Sequence, residues 1–310
     1  MSLSLRQLRY FTALAGTLHF GKAAKLCFVT QSTLSAGIKE LEARLGAPLA
    51  ERTKRSVVLT ALGREVAGRA RVLLRDADEI EALAAAHKKP LSSELRLGVI
   101  PTIAPYLLPA ALSALRAAHP DLDLILVEEQ TAHLLDSLRA GRIDVVLMAL
   151  PWPLAELASQ VLFADPFVLA CRHDHRLAKR KTISAADIAE EPLLLLADGH
   201  CLRDHALAAC TFKGHKVMRG YEGASLMTLA QMAAGGLGVT LLPQMAVDAG
   251  LARLSGLATV PLSPGTPPRQ IALVWRQTSG RDAEFGALGQ FFSDAKPALS
   301  IKPLEAQKAD

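Results

Sequence analysis

Two of the four cysteines in this 310-residue chain lie nine positions apart, in the segment GHCLRDHALAAC. Cys201 has His200 before it and Arg203 and His205 after it. Positive neighbours favour the thiolate, which is the form of cysteine that reacts with oxidants and metals. Because Asp204 opposes them, the sequence predicts only a direction, which is toward a lower pKa and a more reactive Cys201.

The second cysteine of the pair, Cys210, follows the apolar run LAA and is predicted to be the quieter thiol. If residues 202–210 form a helix, as DHALAAC indicates, the two Cα atoms lie about 13 Å apart at a rise of 1.5 Å per residue. A disulfide requires Cα atoms within roughly 7 Å. The pair therefore predicts a redox switch in which a resolving thiol reaches a reactive one only after the helix unwinds.

Other chemical interpretations of the sequence have weaker support. A cysteine pair at this spacing also arises by chance, and a zinc site would need two further ligands at regular spacing. His173 and His175 bracket Asp174 close to a KRK run, which is typical of a solvated loop. The glycines of AAGGLGV follow a helix and precede a strand, the reverse of the dinucleotide-binding order. We expect no metal and no cofactor.

Charge and hydropathy bound the class of protein. Residues 1–90 carry 15 Lys and Arg against 8 Asp and Glu, whereas residues 91–310 carry 20 against 22. This asymmetry favours a polyanion-binding N-terminal domain joined to a neutral one. The N-terminus has no signal-peptide pattern, and no run approaches the ~20 apolar residues that span a bilayer. We expect a cytoplasmic protein without membrane contact, where a cysteine pair is more often reactive than structural.

The first 60 residues predict a winged helix-turn-helix. Apolar spacing indicates a helix from Leu5 that ends at Gly16, a short helix over residues 20–27 and a third helix after an N-cap at Thr30. Side chains that can meet base edges and phosphates in a major groove lie near the start of the third helix: Gln31, Ser32, Thr33, Ser35 and Lys39. A basic run precedes a β-prone segment, as in a wing: Arg52, Lys54 and Arg55. A three-helix packing module is the alternative.

A long helix without proline follows from Ala61 to about Lys88. Its apolar residues recur at alternating spacings of four and three: Val66, Ala70, Leu73, Ala77, Ile80 and Ala84. This a/d seam predicts a dimerisation helix, the alternative being that it packs back onto its own domain. The segment KKPLSS then predicts a hinge.

The remaining residues predict alternating strands and helices, and so a mostly parallel α/β sheet. The first group consists of ELRLGVIP, a helix to about Ala118, LDLILVEE, a helix over 131–140 and DVVLMAL. A second group starts at LFADPFVLAC and includes residues 193–196 and 238–243, and residues 269–275 return to the first sheet. Two lobes with a cleft between them fit this pattern.

The order FGKAAKLCFVTQSTLSAGIKELEARLGAPLAERTKRSVVLTALG resembles the DNA-binding domain of the LysR-type transcriptional regulators. The resemblance implies an α+β multidomain fold with a linker helix and a C-terminal periplasmic-binding-protein-like domain of two lobes. Ser32 stands where proline is frequent and Ala50 where a bulky aromatic is usual, which puts in doubt the start of the recognition helix and the anchoring of the wing. We expect the winged domain over 1–60, the linker helix over 61–89, a hinge over 90–93, a redox-sensing domain over 94–300 and a tail over 301–310.

The segment GHCLRDHALAAC further resembles the redox loop of the peroxide-sensing members of that family, as do VIPTIAPYLLP, EEQTAHLL and AAGGLGVTLLP. The resemblance implies that Cys201 is the peroxidatic cysteine and Cys210 the resolving one. It also implies a peroxide pocket, made of Thr102, Thr131, His200, Arg203, Asp204 and Arg269. The stretch TFKGHKVMRGYEG after Cys210 is shorter than is usual there.

We therefore predict a peroxide-sensing transcriptional activator of the oxidative stress response, switched by an intramolecular disulfide between Cys201 and Cys210. Its expected partners are double-stranded promoter DNA, hydrogen peroxide, further copies of the chain in a dimer of dimers, RNA polymerase and a thiol reductant such as glutaredoxin or thioredoxin. The alternative is a LysR-type regulator of a small organic effector in the interlobe cleft. A thiol peroxidase would leave the winged domain and the seam unexplained, so no enzyme is expected.

Overall fold

A computed structural model describes residues 3–52, 57–86, 90–209, 217–223 and 225–295. The chain divides into two compact units, Met1–Lys88 with Ala140–Arg142, and Lys89–Arg139 with Ile143–Asp310. Within the described ranges, no helix has both the length and the apolar composition of a membrane span.

The first unit contains four helices and a two-stranded antiparallel wing among its described residues. In chain order these are α1 Leu5–Thr17, α2 Phe20–Leu26, α3 Gln31–Leu45, β1 Ala50–Arg52, β2 Val57–Leu59 and α4 Ala61–Ala86. The Thr30 hydroxyl accepts the N–H of Thr33 at 3.2 Å, which caps α3 as expected. The expectation that Gly16 ends α1 is wrong, because the helix continues to Thr17 and stops where Leu18 adopts a left-handed φ of 48°.

The wing is held to the core of the unit by a carboxylate. Oε1 of Glu42 accepts the N–H groups of Leu49 at 2.8 Å and Ala50 at 3.2 Å. A Cβ on Gly63 would lie 1.9 Å from the carbonyl oxygen of Leu49, so only glycine lets α4 begin this close to the wing. Charge-assisted hydrogen bonds therefore anchor the strand at the position where the side chain of Ala50 is small.

Helix α4 packs partly on its own unit, as the alternative interpretation of the seam had it. Ala67, Ala70 and Leu74 are buried in a core shared with α1. Ala70, one of the predicted seam residues, therefore packs inside its own unit. Leu73 and Ile80, seven residues apart, are 51% and 68% exposed and remain as an outward-facing apolar line. The part of the seam that includes Ala70 is therefore not free for a second helix, whereas Leu73 and Ile80 are exposed.

Leu73→Glu is expected to convert an oligomer into smaller species, because a charge placed in a helix–helix contact loses its hydration without gaining a partner. Sedimentation velocity of the full chain measures the change. Val72→Glu serves as the control, because Val72 is 40% exposed but lies about 100° round the helix from Leu73. Equal sedimentation of the two variants would show that the Leu73 line is not an interface.

The second unit alternates strands and helices over two lobes. Its elements are β3 Glu94–Val99, α5 Ala104–Ala118, β4 Asp123–Glu128, α6 Thr131–Arg139, β5 Val145–Leu150, β6 Leu157–Asp165, β7 Phe167–Arg172, α7 Ala185–Ile188, β8 Leu193–Leu196, α8 Cys201–Ala209, β9 Val217–Gly223, α9 Leu226–Ala234, β10 Val239–Pro243, α10 Gln244–Asp248, α11 Leu251–Leu254, β11 Leu257–Pro261, β12 Arg269–Arg276 and α12 Asp282–Asp294.

Each lobe is built on a five-stranded sheet, in the order β4-β3-β5-β12-β6 for the first and β11-β7-β10-β8-β9 for the second. Strand β12 returns to the first sheet, as expected, and pairs antiparallel with both β5 and β6. The β3 strand pairs in parallel with β4 and β5. The expectation of a mostly parallel sheet is confirmed for strand direction, since four of the five strands of the first sheet run the same way and only β12 is reversed.

The boundary between the lobes falls inside LFADPFVLAC, which was expected to lie wholly in the second lobe. In LFADPFVLAC, β6 ends at Asp165 in the first sheet and β7 begins at Phe167 in the second. Pro166 separates them, because proline cannot donate a ladder hydrogen bond. The expected hinge at 90–93 contains Leu91, which is fully buried and donates its N–H to Oε1 of Glu284 at 3.0 Å. The chain is thus anchored where it enters the first lobe.

Candidate redox site and candidate DNA-binding face

The reactive cysteine candidate is the first residue of α8. Gly199 precedes it with a φ of +94°, and a Cβ there would lie 2.5 Å from Oε1 of Gln130. Glycine therefore allows the chain to turn sharply into the helix beside Gln130. Cys201 is only 2% exposed and belongs to the core of the first lobe.

The thiol lies in a narrow pocket at the carboxyl ends of β3 and β4. Thr102 follows β3, and Thr131 is the first residue of α6. The lining residues are Ile100, Pro101, Thr102, Gln130, Thr131, His200 and Cys201. The pocket is too tight for a water-sized sphere, so entry of a ligand requires a small opening movement.

Two hydroxyl groups of the pocket can act on a ligand beside the thiol. Nη1 of Arg269 donates to Oγ1 of Thr102 at 2.9 Å, which leaves the proton of that hydroxyl for another acceptor. The hydroxyl of Thr131 is buried, has no nitrogen or oxygen partner in the described part of the chain, and interacts with the Cys201 thiol. A ligand oxygen entering here would meet a donor polarised by a guanidinium.

A buried ion pair supports this arrangement. Arg269 is 1% exposed, and its Nε and Nη2 lie 2.9 and 2.8 Å from Oδ2 of Asp165, while Nη2 also donates to the Thr102 carbonyl at 3.1 Å. Oδ1 of Asp165 accepts the N–H of Met245 at 2.9 Å. Sequence reasoning missed Asp165. The sequence shows Asp165 as an acidic residue at the end of an apolar strand, which could have marked it as a candidate. In the structure it lies directly opposite Arg269 in the sheet register.

The electrostatics of Cys201 differ from those expected. Burial raises the pKa of its thiol, a hydrogen bond with Thr131 and the charge of Arg269 lower it, and the charge of Asp204 raises it further. Burial likewise lowers the pKa of His200 and of His205, so both rings favour the neutral form. The expected shift to a lower thiol pKa is therefore wrong in this conformation, because the loss of hydration outweighs the neighbouring charges.

Three residues predicted for the pocket do not line it: Arg203, Asp204 and Arg269, the last of which contacts the lining residue Thr102. Arg203 forms an ion pair with Asp198 at 2.9 Å and donates to the carbonyl of Leu196 at 3.1 Å. Asp204 is exposed on α8. Residue 203 lies about 200° round the helix from Cys201, so the Arg203 side chain points away from the thiol. Arg203 instead fixes the turn that leads into the helix.

Cys210 lies outside the described residues. From Cys201 to Ala209, α8 spans about 12 Å along its axis. This span is longer than the ~7 Å within which two Cα atoms can be joined by a disulfide.

The remaining cysteines differ in setting. Cys171 is fully buried, and burial raises its pKa to about 11. Cys27 is partly buried and its thiol lies 3.9 Å from the carbonyl of Arg9. Within the described ranges no three His, Cys, Asp or Glu side chains converge as metal ligands would.

The predicted DNA-contacting residues are grouped at the start of α3. The side chains of Gln31, Ser32, Thr33 and Lys39 are exposed and that of Ser35 is partly buried. Oγ of Ser32 lies 2.8 Å from the capping hydroxyl of Thr30, so serine keeps a polar contact at the position where proline is frequent. The side chain of Arg52, together with Lys54 and Arg55, lies outside the described part of the chain.

Two family descriptions match the chain, and together they cover most of it. Residues 5–64 match the family described as "Bacterial regulatory helix-turn-helix protein, lysR family". Residues 88–296 match the "LysR substrate binding domain".

Named relatives cover nearly the whole chain. A "Probable hydrogen peroxide-inducible genes activator" of Streptomyces viridosporus is 42% identical over 96% of this chain and 96% of that relative. The "HTH-type transcriptional regulator EstR" of Acinetobacter baylyi is 39% identical over 92% of this chain and 94% of that relative.

Solved structures agree with these matches. A cysteine-to-aspartate variant of full-length OxyR from Pseudomonas aeruginosa aligns at a TM-score of 0.78 and 35% identity, covering 98% of this chain and 100% of that one. A hydrogen-peroxide-bound cysteine-to-serine variant of Corynebacterium glutamicum OxyR aligns at 0.65 and 35% identity, covering 95% of this chain and 93% of that one.

Proposed function

Because the chain belongs to the LysR family of bacterial transcription regulators, we propose that it senses hydrogen peroxide through Cys201 and passes that signal to promoter DNA. The observation that carries the proposal is the setting of the thiol. Cys201 lies buried in a closed pocket with two threonine hydroxyls, and one of these is polarised by a buried arginine. The peroxide named for the relatives above is small and has hydrogen-bonding oxygens, so the small opening movement described above would admit it beside the thiol.

The first step is oxidation of Cys201. Its thiolate sulfur attacks one peroxide oxygen, the O–O bond breaks, and the leaving hydroxide takes a proton to become water. Sulfur is oxidised to a sulfenic acid while both peroxide oxygens are reduced to the level of water. The Thr102 hydroxyl, which accepts from Arg269, would donate its own proton to the departing oxygen and so stabilise the charge that develops there.

The second step joins the two cysteines. A thiolate of Cys210 attacks the sulfenic sulfur of Cys201 and displaces hydroxide, which leaves as water after taking up a proton. Because α8 separates the residues, the step requires that helix to unwind, and the unwinding is the structural change that peroxide would produce. A thiol reductant such as glutaredoxin or thioredoxin would reverse it.

The partners follow from the same proposal. The first unit would bind double-stranded promoter DNA, with α3 in the major groove and the wing at the backbone. Copies of the chain would associate through the Leu73 line as dimers and as a dimer of dimers, and RNA polymerase would be recruited at an activated promoter. Promoter DNA and a thiol reductant would be met in the cytoplasm.

Mass spectrometry of thiols after one equivalent of peroxide tests the proposal. We expect a Cys201–Cys210 disulfide and an altered pattern of promoter protection from the same sample. Cys171 is the internal control, because a buried thiol with a pKa of about 11 is expected to stay reduced. A change in DNA binding without oxidation of Cys201 would favour the alternative, a small organic effector bound between the lobes.

Binding to promoter DNA is expected to weaken steeply with salt, since each lysine or arginine on a phosphate releases counterions. Lys39→Ala is expected to reduce the slope of log affinity against log salt by about one. Lys179→Ala removes an exposed lysine from the second lobe and is expected to leave the slope unchanged. Equal slopes for Lys39→Ala and the unmodified chain would place Lys39 away from the DNA.

The rate of Cys201 oxidation is expected to rise with pH across the neutral range. Burial raises the thiol pKa, only the thiolate reacts, and the thiolate fraction grows about tenfold per pH unit below the pKa. Stopped-flow measurement at constant ionic strength follows the rate. A plateau between pH 6 and pH 8 would contradict the raised pKa and show that the reacting conformation ionises more readily.

A further inference from the structure

Helix α8 is shared between the cores of the two lobes. Cys201 is buried with the first core, whereas Leu202 and Ala206 are buried with the second. Positions 201 and 205 lie on one face of the helix, and positions 202 and 206 lie on the adjacent face. Contacts with both lobes therefore favour the folded form of the helix.

His205 supplies a specific contact on the Cys201 face. Its ring is 7% exposed, and Nε2 lies 2.9 Å from the carbonyl oxygen of Pro151, the residue directly after β5. A carbonyl oxygen only accepts, so Nε2 carries the hydrogen and donates it. Nδ1 is then the lone-pair nitrogen, and it is buried without a partner in the described part of the chain. The ring thus makes one directed hydrogen bond, from the redox helix to the first lobe.

Unwinding of α8 breaks this bond. His205 lies midway between Cys201 and the end of the helix at Ala209. The Cα atoms of Cys201 and Ala209 lie about 12 Å apart along the helix while it is intact. Unwinding that spreads from Ala209 toward Cys201 passes through the middle of α8 and displaces the imidazole that donates to the Pro151 carbonyl.

We infer that His205 is a positioning residue that sets the barrier of the second redox step: its Nε2–H bond to the Pro151 carbonyl holds α8 folded, which delays attack by Cys210 without affecting the reaction of Cys201 with peroxide. This inference rests on the proposed function. Two different sets of contacts then control the two steps. The Arg269 hydrogen bonds affect the rate of Cys201 oxidation, and the His205 hydrogen bond affects the rate of disulfide formation.

Two variants of His205 distinguish the bond from simple packing. His205→Leu introduces an apolar side chain of similar size that donates nothing, so the Pro151 carbonyl loses its partner. His205→Gln places an amide N–H at a similar reach and can restore the bond. Stopped-flow kinetics of the full chain separate sulfenic acid formation, which depends on peroxide concentration, from disulfide formation, which does not.

For His205→Leu we expect disulfide formation about three- to tenfold faster, as the loss of one hydrogen bond implies, and sulfenic acid formation within about twofold of the unmodified rate. Amide hydrogen exchange in α8 of the reduced protein is expected to accelerate by a similar factor. His205→Gln is expected to return both rates toward the unmodified values.

Unchanged disulfide formation in His205→Leu, or equal changes in the Leu and Gln variants, would overturn the inference. Equal acceleration of both redox steps would also overturn it, because general loosening opens the pocket as well. If the unmodified chain forms no disulfide with peroxide, the proposed function fails instead. Amide exchange, which needs no oxidant, then decides alone whether His205 holds the helix.

Discussion

Cys201→Ser is expected to abolish the response to peroxide, with the rate of loop oxidation falling by more than about 10³-fold. A serine hydroxyl ionises far too weakly to supply the nucleophile that a thiolate provides. Serine also fits the space of the buried thiol, so the first lobe is expected to stay folded. The measurement is the second-order rate of peroxide consumption, together with promoter protection before and after peroxide.

Cys210→Ser is the matched variant, because it keeps the nucleophile and removes the partner. Oxidation of Cys201 is expected at the unmodified rate, after which the protein stalls as a sulfenic acid that a sulfenate-selective reagent traps. Loss of oxidation in Cys210→Ser, with normal oxidation in Cys201→Ser, would reverse the two roles. Rates equal to that of free cysteine in both variants would show that the segment is not a sensor.

Arg269→Met is expected to destabilise the second unit by about 3–5 kcal/mol, the cost of leaving one buried charge unpaired. Asp165 is 2% exposed, and Arg269 is its partner at 2.8 Å. Thr102 loses its donor at the same time, so peroxide oxidation of Cys201 is expected to slow as well. Urea unfolding of the full chain, followed by a signal from the second unit, measures the free energy.

The double variant Asp165→Asn/Arg269→Met separates charge from packing. With the carboxylate neutral, the expected loss of stability is smaller than that of Arg269→Met alone. Arg269→Lys keeps a positive charge but cannot hold both Asp165 and Thr102 with one planar group, so oxidation is expected to be slower than in the unmodified chain. Full stability of Arg269→Met would show that Asp165 is solvated or protonated.

Much of the fold could be predicted because its signals are local. Thr30 is an N-cap whose role depends on residues three positions away, and the position of β12 followed from an apolar run of strand length. The strand break at Pro166 could not be placed, because both sides of it are apolar and only the sheets to which they belong differ. The direction of β12 depends equally on long-range pairing, which hydropathy does not encode.

Some features of the candidate site could likewise be predicted from the sequence, and others could not. Thr102 and Thr131 were implied by the resemblance to the family, and both line the pocket. The pKa direction of Cys201 could not be predicted, because it depends on burial, and burial arises from the cores that α8 joins. Asp165 was missed because its partner lies 104 positions away in the chain. Arg203 was misplaced because closeness in sequence does not fix direction round a helix.

The position of β12 between β5 and β6 bears on the order in which the chain can fold during synthesis. The strands of the second lobe, β7 to β11, are contiguous over residues 167–261 and can pair once they have left the ribosome. The first lobe begins earlier but leaves β5 and β6 without the strand that joins them until residue 276 has emerged. The later-synthesised lobe can therefore be finished first, and the contact of Arg269 with Asp165 is among the last to close. Until then, two strand edges stay open to pairing with other chains.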